Sequence, residues 1–277
     1  MDIILFNPKS RNGQHPRFVE RLKKKLKQTH HAVVMKNMLD IDHVDAFLSE
    51  IQIDDRLIIV GGDGTLNRLV NTINISDIKQ DIFMVKGGTG NDFLRSLNQK
   101  VLLVPVKAYL LNLPTVLIKE QTYQFINGVG VGLDGLVGHI IDTEHAKKTS
   151  MSYLRATLKG FVKHQPSAMR FTMDGKPLTH ERVWMVSIMF GNKFGGGMLI
   201  APQAKRDDKL HVVIIKDCPK WLLFFIFPLI YIGKHVWFKR YVEIHQATDV
   251  IVETKMPLHG EIDGELLKDV KKLHIKR

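Results

Sequence analysis

The stretch "LIIVGGDGTLNRLVN", residues 57–71, joins an apolar run to a helical pattern through a turn holding three glycines and one aspartate. Its first half reads as a short buried strand. Beyond the turn, Leu66, Leu69, Val70 and Ile73 recur at i, i+3, i+4 and i+7, one face of a helix. Glycine-rich turns between a strand and a helix often hold phosphate, because the backbone can approach closely and the helix N-terminus favours anions. This turn lacks the Gly-Lys-Ser/Thr ending of a P-loop and the GxGxxG spacing of a dinucleotide site.

Outward from that stretch, strand and helix signals alternate. "DIILFN" (2–7), "HAVVMK" (31–36), "RLIIV" (56–60) and "DIFMV" (81–85) read as strands. Between them fall helix patterns at "RFVERLKKKLKQ" (17–28, with Phe18, Leu22 and Leu26 inward) and "VDAFLSEI" (44–51), with another at "NDFLRSL" (91–97). Short apolar strands alternating with helices predict a mostly parallel sheet covered on both faces. Near residue 115 the pattern changes. "TYQFINGVGVG" (122–132), "MRFTMDGKPL" (169–178), "RVWMVSIMF" (182–190), "KLHVVIIK" (209–216) and "DVIVET" (249–254) are strand-like, with one helix candidate, "SYLRATLKGFVKH" (152–164). An α/β domain over 1–116 and a mainly β domain over 117–277 are expected, the change falling in "LNLPTVLIKEQ" (111–121).

The composition, 44% hydrophobic and 25% charged over 277 residues, is that of a globular protein and excludes a disordered one. One cysteine, Cys218, cannot form an internal disulfide, and "MDIILFNPKSRNG" has no signal-peptide layout, so a cytoplasmic protein is expected. A net charge of +12 suits nucleic acid, nucleotide phosphates or an anionic membrane face. No base-stacking or groove-reading motif accompanies it, so nucleic acid is not an expected partner. "WLLFFIFPLIYIG" (221–233) is uncharged but short of the roughly 20 residues that span a bilayer. It reads either as a core helix or buried hairpin, or as a patch dipping into an anionic interface. Lys220, Lys234, Lys239 and Arg240 flank it together with Trp221 and Trp237.

A second glycine loop, "KGGTGND" (86–92), follows the strand at 81–85. Loops at the carboxyl ends of parallel strands share one edge, so both loops should border a common crevice. Asp63 and Asp92 would repel a bare phosphate and make sense where Mg²⁺ sits between carboxylate and phosphate. After the first strand, "NPKSRNG" (7–13) offers Asn7, Lys9, Ser10 and Arg11 as further hydrogen-bond donors and charge.

GGDGT, GTGNDF, the NPxSG-like first loop, "FINGVGVGLDG", "GNKFGGGMLIAPQA" and "GEIDGE" occur in this order across nearly the whole chain. In this the sequence resembles the diacylglycerol kinase-like lipid kinases, relatives of the NAD kinases. The resemblance implies an N-terminal α/β nucleotide domain, a C-terminal β-sandwich-like domain and ATP in the cleft between them. It implies that Gly62, Asp63, Gly64, Thr65, Leu66, Asn67 and Arg68 hold ATP phosphates, with Asn7, Pro8, Lys9, Ser10 and Arg11 from the first loop and Thr89 from the second. Asp92 would join a water–Mg²⁺ network, and Glu265 of the late Asp-Gly-Glu would be the general base. A structural Mg²⁺ would be held by Asp208 with the carbonyls of Lys205 and Leu210, or by Asp207 if the alignment slips by one.

The sequence departs from the family at three places: Arg68 stands for a usual glutamate, Lys86 for a proline, and Leu117 near a usual active-site aspartate. The expected function is ATP- and Mg²⁺-dependent phosphorylation of a lipid hydroxyl, diacylglycerol to phosphatidate. The enzyme would lie peripherally on the inner face of the membrane, and a homodimer is compatible with this reading. The alternatives are a catalytically impaired nucleotide- or lipid-binding relative, or a kinase for another lipid or for a soluble acceptor such as NAD.

Overall fold

A computed structural model describes residues 1–8, 15–28, 32–38, 46–47, 50–88, 90–143, 155–156, 159–162 and 164–277. The chain divides into two units, Met1–Asn112 and Leu113–Arg277. The division precedes the 116/117 boundary expected from the change in strand and helix pattern, because the strand Thr115–Ile118 hydrogen-bonds to the last strand of the chain.

In the first unit the elements run β1 (Asp2–Phe6), α1 (His15–Lys27), β2 (Val33–Asn37), β3 (Arg56–Gly61), α2 (Asp63–Thr72), β4 (Asp81–Lys86), α3 (Asp92–Leu97), β5 (Val104–Pro105) and α4 (Lys107–Leu110). The sheet order is β2-β1-β3-β4-β5, parallel except for the short β5. The unbroken apolar run of β3 follows from its place at the centre of the sheet, where Leu57, Ile58, Ile59 and Val60 are all buried. Val19, Leu22 and Leu26 of α1 pack on Ile4, Ile58 and Val60, with Phe18 half-buried at the margin. The four apolar positions expected on one helix face at 66–73 are all buried. Half of the helix expected at 44–51 lies outside the described residues, and the described residues 46–47 and 50 are helical.

Strand register then fixes where the loops emerge. Phe6 lies opposite Val60, and Gly61 opposite Lys86. The loops after β1, β3 and β4 therefore leave the sheet along one edge. The chain turns to opposite sides of β1 to form β2 and β3, so this edge carries the reversal at which α/β sheets bind ligands.

The second unit contains β6 (Thr115–Ile118), β7 (Gln121–Gln124), β8 (Gly128–Gly132), α5 (Leu133–Thr143), β9 (Ser167–Met173), β10 (Lys176–Met189), β11 (Leu210–Lys216), α6 (Lys220–Ile230), β12 (Val242–Ala247), β13 (Asp249–Ile262) and β14 (Glu265–Lys276). Eight strands follow the order β12-β11-β10-β8-β13-β14-β6-β7, and β9 pairs with β10 and β13. Every pairing is antiparallel. Helix α5 is not expected from the sequence, because its glycines resemble turn residues. A Cβ on Gly135 would lie 2.4 Å from the backbone of His259 and Gly260, so the glycine is what lets the helix cross β13. Of the helix expected at 152–164, the described residues 155–156 and 159–162 are helical.

Helix α6 sends Leu223, Ile226, Phe227 and Ile230 into a core shared with Trp184, Val213 and Cys218. Burial pushes the Cys218 thiol up to about 11, so the single cysteine is an unreactive core residue. Among the described residues, no helix is long and apolar enough to cross a membrane.

Candidate functional site

The two glycine loops of the first unit are locked to each other. A Cβ on Gly88 would lie 2.4 Å from the Gly62 Cα, and one on Gly62 would lie 2.8 Å from the Gly88 Cα. The Gly87 N–H donates to the Gly61 carbonyl at 2.8 Å. Glycine is required here so that two backbones can pass, a constraint separate from any approach to phosphate.

Asp63 completes the joint. Its Oδ2 accepts the Asp92 N–H and its Oδ1 the Phe93 N–H, each at 2.9 Å, so the first loop caps the helix that begins after the second. Asn91, buried and left-handed at φ 53°, accepts the Gly88 N–H at 2.9 Å and donates to the Gly88 carbonyl at 2.5 Å. An acidic residue at position 63 thus has a reason that needs no metal. Asp63→Ala strips two helix-capping acceptors at once, and a loss of about 1–3 kcal/mol in urea unfolding is expected. An unchanged midpoint would show that the cap contributes nothing.

The start of α2 is open by comparison. Its N-cap is Gly62, with an extended backbone and no capping side chain. An uncapped helix N-terminus at the ligand edge of a parallel sheet favours an anion. Gly64 and Arg68 are exposed there, and Asn67 is half-buried. Thr65 and Leu66 are buried, so Leu66, expected at the nucleotide, has its side chain in the core and offers a ligand only its backbone. Lys86 is exposed at the end of β4. Asn7 and Pro8 are half-buried after β1, whereas Lys9, Ser10, Arg11 and Thr89 lie outside the described residues. Asp92 is buried, its Oδ1 3.9 Å from the Arg95 guanidinium.

In the second unit the late "GEIDGE" forms a tight hairpin, with Asp263 at φ 49° and Gly264 at φ 87°. Positive φ at both central residues is what a two-residue turn between twisted strands demands. Asp263 is buried and reaches back across the unit. Its Oδ2 accepts the Ile126 N–H at 2.7 Å, and its Oδ1 accepts those of Asn127 at 2.7 Å and Gly128 at 3.1 Å. Arg206 donates to the Ile126 carbonyl and, at 2.7 Å, to the Asn127 Oδ1. The Phe190 and Gly191 N–H groups both donate to the Asn127 carbonyl. "FING", "GNKFGGG", "AKRDD" and "GEIDGE", scattered over 140 residues (125–265), converge on this one network. Asp263, Asn127 and Arg206 do not stand out in the sequence. The one signal present, Asp-Gly, reads there only as a turn.

Glu265 opens β14 opposite Ile262 and is exposed. Asp208 is also fully exposed, 3.8 Å from the Arg277 guanidinium, while Lys205 is exposed and Leu210 starts β11. The Asp207 Oδ1 accepts the Lys209 N–H at 3.2 Å. Among the described residues, no group of three or more His, Cys, Asp or Glu side chains could hold a metal ion. Leu117 lies on β6 opposite His274, its side chain exposed.

The chain thus joins a largely parallel α/β unit with paired glycine loops at one sheet edge to a β-rich unit. Two family models divide the chain accordingly: the diacylglycerol kinase catalytic domain matches residues 3–122, and the YegS C-terminal NAD kinase beta sandwich-like domain matches 127–274. The chain belongs to the diacylglycerol kinase-like lipid kinase family.

Among its relatives, "Putative lipid kinase YtlR" of Bacillus subtilis (strain 168) is 26% identical over 233 residues, 76% of this chain and 74% of the relative. A "Putative lipid kinase" of Staphylococcus carnosus (strain TM300) is 25% identical over 224 residues, 78% of this chain and 72% of the relative. For one of Staphylococcus epidermidis, 29% identical over 171 residues, the match spans 59% of this chain and only 54% of the relative. The crystal structure of a "putative diacylglycerol kinase" from Bacillus anthracis str. Sterne shares the fold, with a TM-score of 0.71 at 21% identity over 99% of this chain and 91% of that one.

Proposed function

We propose that this protein is an ATP- and Mg²⁺-dependent lipid kinase that phosphorylates the hydroxyl of diacylglycerol to give phosphatidate. The observation that carries the reading is the locked pair of glycine loops, which leaves the N-terminus of α2 uncapped on the ligand edge of the sheet. The positive end of α2 and the backbone N–H groups of the first loop bind the ATP phosphates. Arg68 and Lys86, both exposed, add charge that a nucleotide of high negative charge can use.

Asp63 and Asp92 would hold Mg²⁺ through water, since each Asp63 carboxylate oxygen has a lone pair beyond the one a backbone N–H occupies and the Asp92 carboxylate opens the adjoining helix. When bound, the ion neutralises charge on the transferring phosphoryl group. Glu265 accepts the proton of the lipid hydroxyl as its oxygen bonds to the γ-phosphorus and ADP leaves. The test is an incubation of the purified chain with γ-labelled ATP and diacylglycerol in mixed micelles, beside other lipid alcohols and NAD, under Mg²⁺ titration. Label is expected in diacylglycerol and only when Mg²⁺ is present. Label in NAD alone would overturn the reading.

One observation favours a second reading. Leu117, near the family's usual aspartate, is apolar and exposed. A relative that binds ATP without transferring phosphate to any lipid would show a nucleotide isotherm and no labelled product in the same experiment.

A further inference from the structure

Helix α6 is apolar all round, yet only one of its faces is packed. Such a helix is ordinarily buried on every side, in a core or in lipid. Leu223, Ile226, Phe227 and Ile230 face the core, whereas Trp221, Phe224, Phe225 and Pro228, at i, i+3, i+4 and i+7, form an exposed stripe. Trp221 is 68% exposed, Phe224 51% and Phe225 63%, and beyond the helix Ile232 is 58% and Trp237 69% exposed. Large aromatic residues at such exposure in one short stretch are a patch rather than scattered surface residues.

The segment that forms this patch carries charge of one sign only. Lys220, Lys234, Lys239 and Arg240 are exposed, and the sequence has no acidic residue from Cys218 to Val242. The acids that flank the segment in sequence, Asp217 and Glu243, are both engaged by Lys216, at 3.5 and 3.1 Å. The Lys234 ammonium lies 5.0 Å over the Trp237 ring, so cation and indole are presented together. The loop that carries them is pinned from beneath. His235 is buried, its Nε2–H donating to the Ile200 carbonyl at 3.0 Å. Burial pushes the His235 pKa down, so at neutral pH it adds no charge to the rim.

We infer that this face docks the protein on an anionic lipid bilayer, the tryptophan and phenylalanine side chains entering the headgroup–acyl boundary and the four cations meeting lipid phosphates. Indole rings and basic side chains are the residues that settle at that boundary. A second copy of the chain is the rival occupant. A two-fold interface through this face would set its basic rim close to the same rim of the partner, which repel. An anionic bilayer meets both the apolar stripe and the rim. The inference rests on the lipid-kinase reading for its purpose, since the acceptor is a membrane lipid, but its observable requires no ATP.

Vesicle flotation of the full-length chain tests it, with phosphatidylglycerol-containing vesicles beside pure phosphatidylcholine ones. The wild type should float with the anionic vesicles, less so at high salt. Its fluorescence should shift to the blue, a signal from Trp221 and Trp237 because Trp184 is already buried. Trp221→Ser/Phe224→Ser/Phe225→Ser should weaken partitioning by about 100-fold or more. Lys234→Glu/Lys239→Glu/Arg240→Glu should weaken it by about as much, with both melting temperatures near that of the wild type. Phosphate transfer to a water-soluble short-chain diacylglycerol should survive the triple serine change while transfer to vesicle-embedded diacylglycerol falls. Failure of the wild type to float, or flotation unaltered by the serine substitutions, overturns the docking face and leaves the kinase reading intact. Loss of a dimer in the serine variant, with wild-type flotation retained, also overturns it and assigns the face to a second copy. Absence of transfer to the soluble acceptor in the wild type strikes the kinase reading alone.

Discussion

Asp263→Ala is expected to destabilise the protein by about 3–5 kcal/mol, enough to leave a marginal domain largely unfolded. The carboxylate accepts the N–H groups of Ile126, Asn127 and Gly128, and both Asp263 and that segment are buried. Alanine supplies no acceptor, and the small space left behind admits few waters to replace it. Each orphaned N–H costs roughly 1–3 kcal/mol, and the three share one anchor, so their losses will not add in full. Asn127 also feels the change through its side chain, which Arg206 holds at 2.7 Å. Asp263→Asn keeps one acceptor oxygen and should fall between the two. Urea unfolding measures both variants. A midpoint for Asp263→Ala equal to the wild type would show that the hairpin turn is held by its backbone alone.

Two residues further on, the expected effect has the opposite character. Glu265→Gln should lower kcat for lipid phosphorylation by about 100- to 10,000-fold, the range lost when a general base is removed. Stability should move by no more than about 0.5 kcal/mol, because the side chain is exposed at the first position of β14 and none of the described residues bonds it. KM for ATP should hold, since the base acts on the hydroxyl proton in the transition state and not on the bound nucleotide. Wild-type kcat in Glu265→Gln removes Glu265 as the base. The contrast between the two acids of one six-residue motif is itself informative: Asp263 belongs to the scaffold, and the proposed chemistry falls to Glu265. A loss of activity in Asp263 variants therefore has to be corrected for the fraction folded before it is read as catalytic.

The parallel sheet is legible because its strands are buried on both faces and read as unbroken apolar runs, while α2 shows its 3.6-residue period over Leu66, Leu69, Val70 and Ile73. Adjacency of the two glycine loops follows from that sheet alone. What the loops do to one another does not, because Asp63 and the N–H groups of Asp92 and Phe93 meet through tertiary contact. Helix α5 is hidden by Gly135 and Gly138, whose small size serves packing against β13 rather than a turn. Strand β14 shows no period of two. Val270, Leu273 and Ile275 are its buried apolar positions, and the pairing with β13 shifts register between Glu253 and Gly260. The stretch at 221–233 leaves two readings open because α6 has one covered side and one exposed side. An apolar residue at every position cannot reveal which side is covered.

The contact between the glycine loops carries a consequence for how this sequence can change by descent. Positions 62 and 88 are separate in the chain and share one van der Waals space: a methyl group on either falls within 2.8 Å of the other's Cα. Neither can take a side chain while the other stays where it is. In an alignment of the family the two columns should be inherited as one character, glycine at both or a replacement at both with the loops moved apart. The residue tolerated at one motif is thus set by the other, and a lineage that loses one glycine has altered both loops.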